Sequence, residues 1–343
     1  MKIRKVENVR FFWAVNGKPK QWLLAQQKDF PTNDLLIDIP FDAVKHDGSF
    51  WGFAKQMPGF IIRSHRLRKF IGKLVTEHDI HGIISDHQLG AWHKDIPCIL
   101  IAHQLRLPVF QKFTWLSSII DRFHSGYINQ FKEVWIPDVE GKHNLSGKLS
   151  NASLLKIPHR HIGWLSHLAE VKLEQPTSEN KYELLGMVSG PEPFRNILAK
   201  ELMNILKKQG KKNALISGDY LNESNKNNNS NLTYYYAVNS EEIKHLIRES
   251  SLIIATGGYS TLMDLMIMRK PAILIPTPGQ PEQAYLAKYL QDYTMFHFTT
   301  LEELKQLDFD KIKSKLTDPL EIDETKPIEK EALLGVFNKL MAV

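Results

Sequence analysis

The stretch from Leu252 to Leu290 narrows the folds open to this chain more than any other. An apolar run ending in Ile253 and Ile254 breaks at Ala255-Thr256-Gly257-Gly258-Tyr259-Ser260-Thr261, a sharp turn. A helix carrying Asp264 on its first turns follows, then Pro271 to Pro276 as a buried strand. The loop Thr277-Pro278-Gly279-Gln280-Pro281-Glu282-Gln283 leads into another helix. Strand, helix, strand, helix in this rhythm is the signature of a parallel sheet. Paired glycines let a ligand come close to the backbone, and the N–H groups at a helix start favour phosphate. An acid one turn into that helix suits ribose hydroxyls. The plainer alternative is an ordinary strand-turn-helix in which Ser260 is a cap.

The same rhythm extends over both halves of the 343 residues, a length that suits two domains. Arg10–Val15, Leu35–Ile39, Gly82–Asp86, Cys98–His103 and Glu133–Asp138 are short strand-like runs, several of which stop abruptly at polar residues. Residues 61–79 predict a basic amphipathic helix with Leu67, Phe70, Ile71 and Leu74 on one side. A polar stretch with Pro176, residues 170–181, predicts a linker. Strands are then expected at 182–188, 213–217, 233–238, 252–255 and 272–275, and a helix at 328–341. The expected domains are 1–169, joined by the terminal helix 328–343, and 182–327.

Ligands bind such sheets beyond the carboxyl ends of the strands. That rule selects Ser85, Asp86 and His87, then His103 and Gln104, in the first half. In the second it selects Ser189-Gly190-Pro191-Glu192, Ser217-Gly218, Val238-Asn239-Ser240 and Thr256-Gly257-Gly258.

With its glycine pair, acid, proline strand and Pro-Gly-Gln-Pro-Glu-Gln loop in this order, residues 182–290 resemble the donor half of the GT-B glycosyltransferases. The resemblance is to the family 28 group that includes the lipid-linked N-acetylglucosaminyltransferase of peptidoglycan synthesis. It implies an α/β fold of two Rossmann-like domains facing a cleft, with the terminal helix packing back across it. It also implies a nucleotide-sugar donor, UDP-linked, held by Gly257, Gly258, Tyr259, Ser260, Thr261 and Asp264. Val238 would offer backbone groups to the base, Glu282 and Gln283 would read the sugar, and Gln280 would belong to the same donor site. Ser189, Gly190 and Arg195 would meet the phosphates, although Pro191 and Pro193 remove two N–H donors from a loop that is richer in glycine in that family. The family's first strand and its histidine-bearing glycine loop have no counterpart at this start, where Met1–Val6 resembles a helix end.

Transfer to an acceptor hydroxyl needs a base, and strand-end His103 and Asp86 are the candidates, Asp86 alternatively orienting His87. Capping or packing is the plainer role for each. Asp308-Phe309-Asp310 has the form of a metal-binding motif but follows no strand, so it reads as an acidic helix start. No metal or other cofactor is expected. The lone cysteine, Cys98, lies in an apolar run and reads as a core thiol.

Residues 1–170 hold 23 Lys and Arg against 15 Asp and Glu, while 171–343 hold 21 against 23. The basic first half suits an anionic membrane surface or a phosphorylated, lipid-linked or saccharide acceptor; no nucleic-acid motif accompanies it. Aromatics interleave with basic residues at 50–73 and 106–132, a pattern shared by membrane-surface helices and by packed ones. No signal segment or apolar span is present in the sequence, so a cytoplasmic protein, peripheral on the inner face of the membrane, is expected. Two rival readings remain: a nucleotide-sugar-binding protein without turnover, and a sugar-nucleotide epimerase on the same fold.

Overall fold

The computed structural model describes residues 10–15, 20, 35–40, 50–108, 114–169, 180–217, 226–228, 231–236 and 238–317. Met1–Val6, the body of the expected linker, Gly218 and the expected terminal helix lie outside these residues. The chain divides into two compact units, residues 1–163 with 326–343, and Trp164–Thr325.

In unit 1, β1 (Phe12–Val15) pairs in parallel with β2 (Leu35–Asp38). A second sheet has the order β3 (Ile83–Asp86), β4 (Cys98–Ile101), β5 (Glu133–Ile136), β6 (His159–His161), parallel throughout. Every residue of β5 is buried, as is most of β4, which is why these runs are apolar without alternation. The buried Glu133 carboxylate accepts from Trp135 Nε1 at 3.0 Å and from Arg160 Nε.

Helix α1 (Phe50–His78) begins earlier than its periodicity predicts and continues through Pro58. Pro58 is exposed, where water can take the bond it forfeits. Leu67, Ile71 and Leu74 form the buried face, packed with Ala91, Ile37, Ile39 and Ile83, and Phe70 is partly buried beside them. Arg66, Lys69 and Lys73 are exposed, and Arg68 lies 3.9 Å over the Trp92 ring. Helix α2 is Thr114–Ile128, and Cys98 is a buried free thiol whose pKa burial raises.

Unit 2 is a seven-stranded sheet in which all neighbours but one are parallel. Its strands are β7 (Tyr182–Met187), β8 (Asn213–Ile216), β9 (Lys226–Asn228), β10 (Leu232–Tyr235), β11 (Ser250–Thr256), β12 (Ala272–Ile275) and β13 (Phe296–Phe298). Their order is β13-β12-β11-β7-β8-β10-β9, with β9 the antiparallel edge. The chain steps outward from β7 through β8 to β10, then returns to the other side of β7 as β11. The switch point is therefore between β7 and β11, where an open α/β sheet leaves a crevice at the carboxyl ends.

Helices α3 (Phe194–Lys208), α4 (Ser240–Arg248), α5 (Tyr259–Met268), α6 (Pro281–Tyr289), α7 (Leu301–Leu304) and α8 (Phe309–Lys313) complete the unit. Leu198, Leu202 and Leu206, spaced by four, put one face of α3 into a core with Leu184, Leu215, Leu252, Ile254 and Ile273. Asp308 caps α8 by accepting from the Lys311 N–H at 3.0 Å, as an acidic helix start should. The division at Trp164 falls six residues before the end of the domain drawn from sequence, because Ser166 and His167 are tied to α5.

Candidate functional site

Three loops leave neighbouring strands at the switch point of unit 2. After β7, Ser189 Oγ lies 2.7 Å from Thr256 Oγ1 at the end of β11, so two hydroxyls join the strand ends. Gly190 follows with φ of +99°, a conformation that favours glycine. Arg195 is drawn back: its Nε donates to Glu192 Oε1 at 2.7 Å, so the guanidinium is already shared with a carboxylate of the same loop.

After β11, the Gly257 N–H is spent on Ile275 O at 3.0 Å. That amide is thereby engaged within the sheet, and an anion at this turn would meet the N–H groups that open α5 instead. Gly258 is the N-cap of α5 and offers no side-chain bond, and Gln280 leaves α6 equally uncapped. Ser260 is exposed and not the cap. By contrast α4 and α7 each carry a full capping box, Asn239 with Glu242 and Thr300 with Glu303. Open helix starts thus coincide with the switch-point loops, where an anion can satisfy them. Tyr259 is buried, Thr261 is half-buried, and Val238 is buried beside the cap of α4.

After β12, Gln283 turns inward. Its Oε1 accepts the Thr277 N–H at 2.7 Å and its Nε2 donates to Gln280 Oε1 at 3.4 Å, while Glu282 is half-buried. A Cβ on Gly258 would lie 3.9 Å from Gln283 Nε2, so the α5 and α6 starts are in close reach of each other.

Asp264 is engaged in a way its spacing does not reveal. Ser166 Oγ donates to its Oδ1, and His167 Nδ1 is 3.8 Å from the same oxygen. Burial raises the carboxyl above its ordinary value, with His167 and the Ser166 hydrogen bond pulling it down. No local pattern marks Ser166 or His167, which lie far from Asp264 in sequence.

In unit 1 the ends of β3 and β4 bring Asp86, His87 and His103 together. His87 takes a left-handed φ of +54°, and its N–H reaches Ile101 O at 3.0 Å. That aims its ring at His103, which is buried: His87 Nε2 is 3.0 Å from His103 Nδ1, the rings edge to face. Partial withdrawal from water raises the Asp86 carboxyl above its ordinary value, against the pull of His103. Sequence alone offered Asp86 as the base or as the orienter of His87; the structure adds the contact of His87 with His103.

Residues 189–331 match the model of the glycosyltransferase family 28 C-terminal domain. No curated protein matches the chain. Among solved structures it is similar to a UDP-glucose:anthocyanidin 3-O-glucosyltransferase in complex with UDP, with TM-score 0.59 and 14% identity over 98% of this chain and 92% of that one. The spinosyn forosaminyltransferase SpnP gives 0.54 and 9%, covering 98% and 100%. The glycosyltransferase SnogD from Streptomyces nogalater gives 0.53 and 12%, covering 97% and 95%. Residues 189–331 are thus similar to the glycosyltransferase family 28 C-terminal domain, and the likeness to these structures gives the chain the GT-B fold of two Rossmann-like domains.

Proposed function

We propose that the protein transfers a hexosyl group from a UDP-linked donor to a lipid-linked or saccharide acceptor, without a metal ion. The observation that carries this reading is the coincidence, at one switch point, of uncapped α5 and α6 starts with the Ser189, Thr256 and Gly190 loop ends. A diphosphate suits those N–H groups and hydroxyls, whose dipoles oppose its charge as the leaving group departs. Ser166 Oγ and His167 Nδ1 both meet Oδ1 of Asp264, and we assign Oδ2 to a ribose hydroxyl. Glu282 and Gln280 read the sugar.

The acceptor oxygen bonds to the anomeric carbon, the bond from that carbon to the diphosphate oxygen breaks, and the acceptor proton passes to a base. We assign His103 as that base. The supporting observation is its Nδ1 contact with His87, which, with the proton on Nδ1, leaves Nε2 with a lone pair. The exposed Ile61, Ile62, Ile119 and Phe123 beside a basic surface support peripheral binding to an anionic membrane. No helix among the described residues is long and apolar enough to cross one.

Calorimetric titration with UDP, with and without a chelator, tests the donor site. Binding that survives the chelator is expected; no heat at millimolar UDP, or loss of binding to the chelator, counts against it. Transfer assays with UDP-sugars then separate turnover from binding alone.

A further inference from the structure

Thr277, two residues beyond β12, is only 4% exposed, and its Oγ1 is a buried oxygen without a hydrogen-bond partner among the described residues. Its backbone N–H is held by Gln283 Oε1 at 2.7 Å, so the residue is pinned and cannot slide to find a partner. Most buried hydroxyls are paired, and an unpaired one is a standing cost to the fold. The cover over Oγ1 is thin. A Cβ at Gly190 would lie 3.9 Å from it, and Gly190 is exposed, as are its neighbours from Ser189 to Pro193. A loop that has no side chain at its nearest residue therefore stands beside this hydroxyl, at the strand ends where α5 begins.

We propose that Thr277 is a phosphoryl contact of this site. When a nucleoside diphosphate enters, the Ser189–Pro193 loop shifts and the Thr277 O–H donates to a phosphate oxygen. The proposal rests on the donor-site reading above. It explains why a hydroxyl is kept where valine has the same shape. It also makes two effects of one substitution point in opposite directions. Removing an unpaired buried hydroxyl without changing shape is neutral or favourable to the empty protein, whereas removing a donor to a charged oxygen weakens the complex.

The experiment compares wild type with Thr277→Val and Thr277→Ser, by thermal unfolding without ligand and by calorimetry with UDP and with uridine. Thr277→Val should unfold at the wild-type temperature or above, and bind UDP roughly ten- to a hundred-fold more weakly. Its uridine affinity should be unchanged, and Thr277→Ser should restore UDP binding. Equal UDP affinity in Thr277→Val overturns the proposal while leaving the donor site standing. Lower stability of empty Thr277→Val, or an equal loss for uridine, makes the hydroxyl structural and overturns it too. If wild type binds neither compound, the donor-site reading falls and the proposal with it.

Discussion

A carboxylate held by a serine and a histidine of its own chain answers differently to pH than one held by solvent. The Asp264 carboxyl is raised above 3.8 chiefly by burial, so the folded state holds its proton more firmly than the unfolded chain does. The stability this contributes is fully present below the unfolded value and is lost as pH rises through the raised folded value. Asp264→Asn keeps the acceptor for Ser166 and cannot titrate. The wild-type melting temperature should therefore fall relative to Asp264→Asn as pH climbs through that window. Parallel curves for the two proteins would show that burial does not govern this carboxyl. Asp264→Ala, measured by calorimetry, should weaken UDP binding by roughly 1.5–3 kcal/mol, the range for a hydrogen bond to a charged group. His103→Gln offers the matching test in unit 1: donor consumption should drop by roughly 10²–10⁴-fold, the span of general-base catalysis, with unfolding little changed. A rate equal to wild type would take the base role from His103.

Two glycines against α1 separate helix propensity from packing. A Cβ at Gly90 would meet Ser64 O at 2.6 Å and Ser64 Cα at 2.8 Å, backbone atoms that move only if α1 moves. Gly90→Ala should cost about 1–3 kcal/mol, as overpacking does. Within α1, a Cβ at Gly72 meets only His93 Cδ2 at 3.9 Å, so Gly72→Ala should stabilise by about 0.5–1 kcal/mol. Chemical denaturation of both variants checks the pair; shifts of the same sign would mean that the Gly90 contact relaxes freely. Legibility of the sequence follows the same division between local and long-range causes. β11, α5, β12 and α6 were readable because apolar runs, glycines and prolines punctuate them locally. β6 (His159-Arg160-His161) was not, since it lies at a sheet edge with exposed side chains and is held by backbone pairing to β5. The start of α1 was misplaced because Pro58 reads as a breaker although its exposed position tolerates it. For the candidate site, strand-end rules pointed to Ser189, Gly190, Asp86 and His103, which lie at or just beyond the ends of β7, β3 and β4. They missed Ser166 and His167, the inward turn of Gln283 and the His87–His103 bond, each of which needs two distant segments to meet.

At the scale of the whole molecule, the distribution of charge and exposed apolar surface sets what the chain meets in solution. Basic residues exceed acidic ones in residues 1–170, and the excess disappears beyond them. In unit 1, Phe60 of α1 meets Tyr127 of α2 with ring centroids 5.1 Å apart, and Tyr127 also meets Phe123 at 5.2 Å. Exposed Ile61 and Phe123 thus border one junction, with Ile62 54% and Ile119 57% exposed on the same two helices. Arg66, Lys69 and Lys73 on α1 and Arg122 on α2 are also exposed. Charge and apolar contact act differently at a bilayer: the first weakens with salt over a Debye length of about 10 Å at 0.1 M, the second does not. The protein should therefore sediment with anionic phosphatidylglycerol vesicles at low salt and much less with neutral phosphatidylcholine. Added salt should lower binding without abolishing it. The double substitution Ile62→Glu with Ile119→Glu should remove the salt-resistant part, because it puts carboxylates where acyl chains would contact the protein. Binding that salt abolishes completely, with no effect of the double substitution, would reduce the surface to an electrostatic one and favour a soluble phosphorylated acceptor. No binding at low salt would remove the membrane from the account and leave the basic half to a saccharide acceptor alone.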